Sequence, residues 1–351
     1  MAQVALLLFT LVTGGGALAA PSVPGDPVAA ARRVLVDYDA HVRAFKLARG
    51  HNVTLQLDDP DLEANAAWRG SRLVDAIRWL REALDKNPRH PTARLTLAQL
   101  LGRRAELSPA ADELEEQVKR HPADAASWNA LGVASARAGR AARKLECYRR
   151  AIALDQSDAS ARANLCNALA AAGKSAEAIA AGQQAVALRP GYVYAWMNLG
   201  IAYGQLGDRK AEQEAYLKAV QVPADAEQCP FARFNLALCY EQEQAYDEAV
   251  RWYRDALRVG LPQGPRSRQA ALFHHNLARA LYRAGQFPEA AREATEALKI
   301  DRTLPEPHSL LGHLFEQAGR PDEARRMYVI ATRLLQKYGA SRSDVAQRQA
   351  E

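Results

Sequence analysis

The 351-residue sequence predicts an all-α solenoid of antiparallel helix pairs, and three observations lead there. The first is a period: between residues 91 and 338 one pattern of about 34 residues recurs seven times. The second is its content. One copy reads Trp128, Leu131, Gly132, Gly139, Tyr148 and Ala151, another Trp196, Leu199, Gly200, Tyr203, Gly207, Tyr216 and Ala219, and a late one Leu311, Gly312, Phe315, Gly319, Ala324, Tyr328 and Ala331. Large and small apolar residues at such offsets describe two amphipathic helices that meet face to face. The third is the placement of breakers. Gly139, Gly173, Gly207, Gly285 and Gly319 fall in the middle of a copy, where a left-handed residue stops the first helix, and Pro88, Pro122 and Pro190 close copies. With 48% apolar content the chain buries its core as a continuous stripe between stacked units.

Taken in order, residues 1–20 come first. Val4 to Val12 is mostly apolar, Gly14 to Gly16 break it, and Ala17-Leu18-Ala19-Ala20 follows. A short apolar core and a small-residue site describe a signal peptide cleaved near Ala19, so the chain is expected to be exported, to a periplasm, secretory lumen or medium; without cleavage it is cytoplasmic or anchored. The same stretch just reaches the ~20 residues that span a bilayer, so an uncleaved anchor is the alternative; the glycine triplet speaks against it. Residues 21–56 form a linker and a capping helix. Asp26 before Pro27 is an N-cap, and Val34, Leu35, Tyr38, Val42 and Phe45 lie on one face up to Gly50. Asn52-Val53-Thr54 is a glycosylation sequon, meaningful in a eukaryotic host.

Residues 57–90 read as a degenerate repeat. Its second helix carries Leu73, Ala76, Ile77, Leu80, Ala83 and Leu84, and its first lacks the Leu-Gly pair. Seven clearer units follow at 91–124, 125–158, 159–192, 193–226, 230–263, 271–304 and 305–338. The longer intervals fall near 223–228 and 264–270, rich in turn residues. Residues 339–351 are polar and expected to fray. Gly132, Cys166, Gly200, Ala237, Ala278 and Gly312 are expected where the two helices of a unit cross, faced by Ala178, Ala249, Ala290 and Ala324. Lys144 and Glu212 at that second position predict shifted crossings.

On these residues, 91–338 resembles a tetratricopeptide-repeat array. The resemblance implies a right-handed superhelix whose concave groove is lined by the first helix of every unit. Units with an Asn-Leu core are similar to the superhelical arm of O-linked N-acetylglucosamine transferases, although no catalytic domain follows the last unit. In that arm an asparagine ladder binds the backbone of an extended peptide, and the resemblance carries this role to Asn164, Asn198, Asn235 and Asn276. It stops at Ala130 and Leu310. A carboxamide both donates and accepts, which suits peptide backbone.

Two further features belong to the same groove. Tyr194, Met197, Ile201, Phe231, Phe234 and Leu238 form a second apolar stripe beside a core already supplied by Trp196, Leu199, Tyr203, Leu236 and Tyr240. A surplus stripe on a binding face suggests apolar peptide contact, unless a neighbouring unit buries it. Arg279 and Arg283, four apart with Tyr282, can hold a carboxylate; pairing with Glu316 or solvent is the plainer account. The residues of the chaperone-tail carboxylate clamp are not found.

Chemistry of other kinds is not indicated. The +6 net charge, from 46 basic and 40 acidic residues, is spread along the chain, so nucleic acid is disfavoured. Cys147 and Cys166 read as packing residues. Cys229 and Cys239, if one helix joins them, lie about 15 Å apart, beyond the ~7 Å of a disulfide. His274, His275, His308 and His313 can meet from adjacent units, but no metal-site spacing accompanies them, and His274 and His308 occupy the place of Trp128 and Trp196. No nucleophile elbow, phosphate loop or dinucleotide turn occurs, so no enzyme, metal or cofactor is expected. The expected function is a protein-interaction scaffold that binds an extended peptide or a partner protein. The alternatives are a recruiting subunit for a separately encoded enzyme such as a glycosyltransferase, and a membrane-tethered assembly factor should residues 1–20 be retained. Oligomeric state is not legible.

Overall fold

In the computed structural model of the chain, the residues described are 26, 28–34, 60–90, 92–104, 106–222, 229–261 and 264–348, without the side chains of 60–72, 103 and 339–348. The signal peptide, most of the linker and capping helix, the sequon and the turn at 223–228 lie outside them. All regular structure among the described residues is helical. The chain divides into two compact units, with the break between Pro122 and Ala123.

In the first unit, Asp26 Oδ1 accepts from the backbone N–H groups of Val28 and Ala29, at 3.1 and 2.9 Å, and so caps α1 (residues 28–34). Val28 and Ala31 of α1 join Leu73, Ile77 and Leu80 of α2 (Pro60–Lys86) and Leu97, Leu100 and Leu101 of α3 (Ala93–Arg103) in one core. Ala110 of α4 (Leu107–Arg120) completes it. The degenerate repeat expected at 57–90 is corrected: α2 is one continuous 27-residue helix. No described residue between Pro60 and Lys86 has a positive φ, so nothing there turns the chain back.

The second unit holds six helix pairs. They are α5 (Ala125–Arg137) and α6 (Ala141–Leu154), α7 (Ala159–Ala171) and α8 (Ser175–Leu188), and α9 (Val193–Leu206) and α10 (Arg209–Gln221). Then come α11 (Pro230–Gln242) and α12 (Tyr246–Arg258), α13 (Arg268–Arg283) and α14 (Phe287–Ile300), and α15 (Pro305–Gln317) and α16 (Pro321–Arg348). Each second helix packs on its own first helix and on the first helix of the next pair. Starts are fixed by side-chain caps: Asp124, Asp158 and Ser267 accept from backbone N–H groups at the beginning of α5, α7 and α13. The mid-pair glycines have φ between +68° and +86°; the α11–α12 pair puts Gln244 there instead, at +61°. The polar tail expected to fray from Gly339 is instead helical, since α16 runs to Arg348.

The crossing within each pair has a partner beyond the expected one. Counting each pair from residues 125, 159, 193, 230, 271 and 305, the alanines Ala178, Ala249 and Ala290 at position 20 share a core with Cys166, Ala237 and Ala278 at position 8, and position 24, one turn on, comes closest where position 8 is glycine. A Cβ on Gly132, Gly200 or Gly312 would lie 2.4, 2.6 or 2.4 Å from the ring of Tyr148, Tyr216 or Tyr328. In the second pair the sizes are exchanged, and a Cβ on Gly182 would lie 3.0 Å from Cys166 Sγ. Glu212, at position 20 of the third pair, lies against Gly204.

Gly200→Ala is therefore expected to lower stability by about 1–3 kcal/mol through overpacking against Tyr216. Gly200→Cys with Tyr216→Gly, which copies the Cys166–Gly182 pair, should recover part of that loss relative to Gly200→Cys alone. Chemical denaturation of the four proteins measures this; an unchanged midpoint for Gly200→Ala would mean the tyrosine is free to move.

Candidate functional site

Positions 2, 6, 9 and 13 of a first helix follow an i, i+4, i+7, i+11 pattern and share one face. The asparagine ladder occupies position 6 of that face, and the structure shows where its amides go. Asn198 is 8% exposed, and its Nδ2 donates to the carbonyl of Ala163 in the preceding pair at 2.9 Å. Asn164 Nδ2 donates, over the same 35-residue step, to Asn129 Oδ1 at 2.9 Å. Asn235 is hydrogen-bonded to Tyr216, and Asn276 donates to Leu272 O within its own helix at 2.7 Å. Asn164, Asn235 and Asn276 are half-buried. Two of the four amides thus stitch pair to pair, and a third holds a buried tyrosine of the preceding pair.

The apolar stripe is corrected from surplus to seam. Met197 and Ile201 pack with Tyr216, Leu236 and Cys239 of the following helices, and Met197 Sδ lies 3.8 Å from Cys229 Sγ. Phe234 stacks on Phe273 at 4.2 Å and meets Tyr253 edge-on at 5.2 Å, while Phe231 meets Phe273 at 5.9 Å. Leu238 and Tyr282 join the core around Leu277 and Leu281. First helices of successive pairs also touch one another, as α7 and α9 do, so residues at positions 5 and 9 are drawn into that contact. Tyr194 alone of the stripe remains open, 51% exposed, its ring edge-on to Tyr192 at 6.0 Å.

Arg279 is likewise not free for a partner's carboxylate. Its Nε and Nη2 donate to both oxygens of Glu241 in the preceding pair, at 2.7 and 2.8 Å, and Tyr253 Oη donates to the same carboxylate at 3.0 Å. These bonds hold the guanidinium above its ordinary pKa. Arg283 is exposed and makes no ion pair among the described residues. The histidines do not converge. His274 pairs with Glu293 at 2.7 Å, His308 Nε2 lies 3.3 Å from Arg302 O much as Trp196 Nε1 donates to Pro190 O at 2.8 Å, and His313 is on Tyr328. No metal-holding cluster occurs among the described residues. All four cysteines are free; burial pushes the Cys166 and Cys239 thiols up to about 12.

What stays open on the first helices is position 13, of which the sequence analysis singles out Arg283 alone. Arg137, Ala171, Gln205, Gln242, Arg283 and Gln317 are exposed, one in every pair of the second unit. Val133, Asn167 and His313 at position 9 are exposed too. The signal was present as a polar or small residue at the end of each first helix, but it repeats in chemistry rather than in identity.

Helix pairs repeated at about 34 residues, with small residues seating aromatic ones, define an all-α repeat protein. The chain belongs to the tetratricopeptide-repeat proteins: sequence profiles described as tetratricopeptide repeat match residues 67–134, 145–193, 193–225 and 230–303, together more than half of it. Such repeats mediate contacts between proteins. No curated protein sequence matches the chain. Among solved structures, it is similar to a chain of the APC/C hetero-tetramer Cut9–Hcn1, with a TM-score of 0.57 and 17% identity over 80% of this chain and 53% of that one. Yeast Tom70 gives 0.54 and 17%, over 80% and 60%, and Pseudomonas aeruginosa PilF 0.52 and 17%, over 62% and 97%. The chain thus spans little more than half of Cut9–Hcn1 and Tom70. At these identities the likeness shows the fold. No helix of the described residues is long and apolar enough to cross a membrane.

His275 at position 5 supplies a test of the seam. It is buried, and burial first, then Arg279, push its pKa down to about 4, against the opposing pull of Glu306 and Glu241. An unfolded chain binds this proton near pH 6.5 and the folded one near 4, so stability should fall as pH drops through that window. His275→Met, which copies Met197, should remove on the order of 1–3 kcal/mol of that loss. Denaturation midpoints at several pH values check it, and an unchanged slope would place the acid sensitivity elsewhere.

Proposed function

We propose that the chain is a protein-interaction scaffold whose second unit grips an extended segment of a partner along the open face of its first helices. The observation that carries this reading is the exposed row at position 13, which sets Arg137, Gln205, Gln242, Arg283 and Gln317 beside an asparagine ladder and an apolar stripe that are largely taken up by packing. Amides and guanidiniums at one-pair intervals donate to backbone carbonyls or carboxylates without demanding a particular sequence. Tyr194 adds a half-open aromatic beside them, a residue type enriched at interface hot spots. No catalytic constellation supports an enzyme, and the role is one of holding.

Affinity capture with the protein as bait, quantified by mass spectrometry, tests this. Tyr194→Ala with Gln205→Ala and Arg283→Ala should reduce retention of a partner about tenfold, equivalent to ~1.4 kcal/mol, at unchanged helical content. Asn198→Ala should instead cost about 1–3 kcal/mol of stability, because it removes the buried hydrogen bond to the Ala163 carbonyl and leaves a space at the seam. Equal capture by parent and triple variant would move the interface off this face.

We also propose export through cleavage of residues 1–20, a reading supported by their apolar run and small-residue site. Mass spectrometry of the protein from its native host should place the N-terminus at Ala20 or Pro21. A retained Met1 would favour the anchored alternative.

A further inference from the structure

Two seams of the second unit are stitched by an amide at position 6 that meets position 5 of the pair before: Asn164 on Asn129, and Asn198 on the Ala163 carbonyl. At the seam between the pairs from 271 and 305 those two places hold Leu310 and His275. Leu310 lies in a core with Leu277 and Leu281, and its side chain offers no hydrogen bond. His275 is 9% exposed, and its Nδ1 is buried with no hydrogen-bond partner. The ring can stay there neutral, but a proton on it would be a cation taken out of water with no bond to hold it.

The charges that face His275 come from three helices: Arg279 on its own, Glu241 on α11 and Glu306 on α15. Glu241 already accepts from Arg279 and from Tyr253 of α12. The other carboxylates on α12 and α14, the helices packed beside α13, are taken up or turned to solvent. Asp247 is bonded to Gln286, Asp255 to Arg233 and Arg258, Glu289 to Arg254, Glu293 to His274 and Glu296 to Lys299, while Glu248 is exposed. The cations of α12 and α14 are exposed as well. Burial first, then Arg279, therefore outweigh the pull of Glu306 and Glu241 and keep the ring neutral down to about pH 4.

The pair that His275 bears on is held from one side. Positions 21 and 28 of a second helix bear on the next pair, and they are buried or half-buried in α6, α8, α10, α12 and α14. Leu145 with Ile152, Gln213 with Val220, and Ala291 with Leu298 are three of these sets. In α16 the same positions are Arg325 and Thr332, both exposed, so among the described residues nothing stacks there. On its other side the pair rests on an apolar seam with Leu281, Leu298, Leu310 and Leu314. The seam before that one is also tied by Arg279 on Glu241, Arg254 on Glu289 and Gln286 on Asp247. Units of a stacked array are held by their own stability and by their seams, so weakening one seam acts first on the unit that has no other.

We propose that the seam between α13 and α15 is an acid-operated latch: when His275 takes up a proton, the pair α15–α16 opens locally while the pairs before it stay stacked. Loss of stability in acid is then an opening at one end before it is a global one. In the row at position 13 the opening uncouples Gln317 from Arg283. The latch itself does not depend on what that row binds.

Hydrogen exchange of the full chain at pH 7 and pH 5, read by mass spectrometry and corrected for the intrinsic rate at each pH, tests this. An open state that binds the proton near pH 6.5 and a closed one that binds it near 4 differ on the order of twentyfold across that range. Protection of the buried amides of α15 and α16 should accordingly fall at least about tenfold, while α5 to α10 keep theirs. His275→Met, and separately His275→Asn, which copies Asn129, should each flatten the fall. In the parent chain, the His275 ring signals followed by NMR should take up their proton in the same pH step that exposes those amides. No fall, an equal fall across the whole second unit, or a fall that survives in both variants would overturn the proposal. So would a protonated His275 in a chain whose α15 and α16 are still protected.

Discussion

The second unit depends on one contact repeated with variations: the seat that position 8 of a first helix makes for position 24 of its own second helix. With glycine at 8, the ring at 24 lies where a Cβ would be, so the two helix backbones approach as closely as a tyrosine's thickness allows. The second pair reaches the same closeness the other way, Cys166 facing Gly182, with Leu199 of the next pair filling the space a Gly182 side chain would need. Ala237 with Tyr253 and Ala278 with Ala294 occupy the same two positions in the later pairs and share one core. What recurs is at least one small residue of the two, rather than residue identity or combined size, and neighbouring side chains fill the rest of the space. Every other feature of a pair, from the left-handed turn residue to the stacking of the next pair, is positioned by that spacing.

Stacking then decides which side chains are left for recognition. Position 5, and position 9 in the three pairs from 193, 230 and 271, look outward on an isolated first helix, yet in the array they are drawn into packing, and Phe234 on Phe273 shows how completely they can be used. The asparagines meet the same fate for a different reason. A carboxamide at position 6 reaches the backbone or side chain at position 5 of the pair before, and burial makes that hydrogen bond costly to leave unmade. Arg279 obeys the rule as well: a cation beside the seam finds Glu241 of the preceding pair before any partner arrives. The open polar row lies at position 13 because that residue sits at the end of the helix, past the reach of the neighbouring pair.

The fold was legible because its determinants are local and periodic. Trp128, Gly132 and Tyr148 recur at a step that a 34-residue pair imposes, and mid-copy glycines mark the turn. Gln244 escaped notice since nothing in a glutamine announces φ of +61°; only the register of its neighbours shows that the chain must turn there. The continuous helix Pro60–Lys86 escaped for the opposite reason, as the period suggested a turn that no residue enforces. The site was less legible than the fold. A sequence shows that Asn198 falls on a given face of its helix, but whether that face meets solvent or a neighbour depends on contacts between units. Offset counting found the small residue at position 8, but not that position 24 supplies the ring seated on Gly200, since positions 20 and 24 share one helix face.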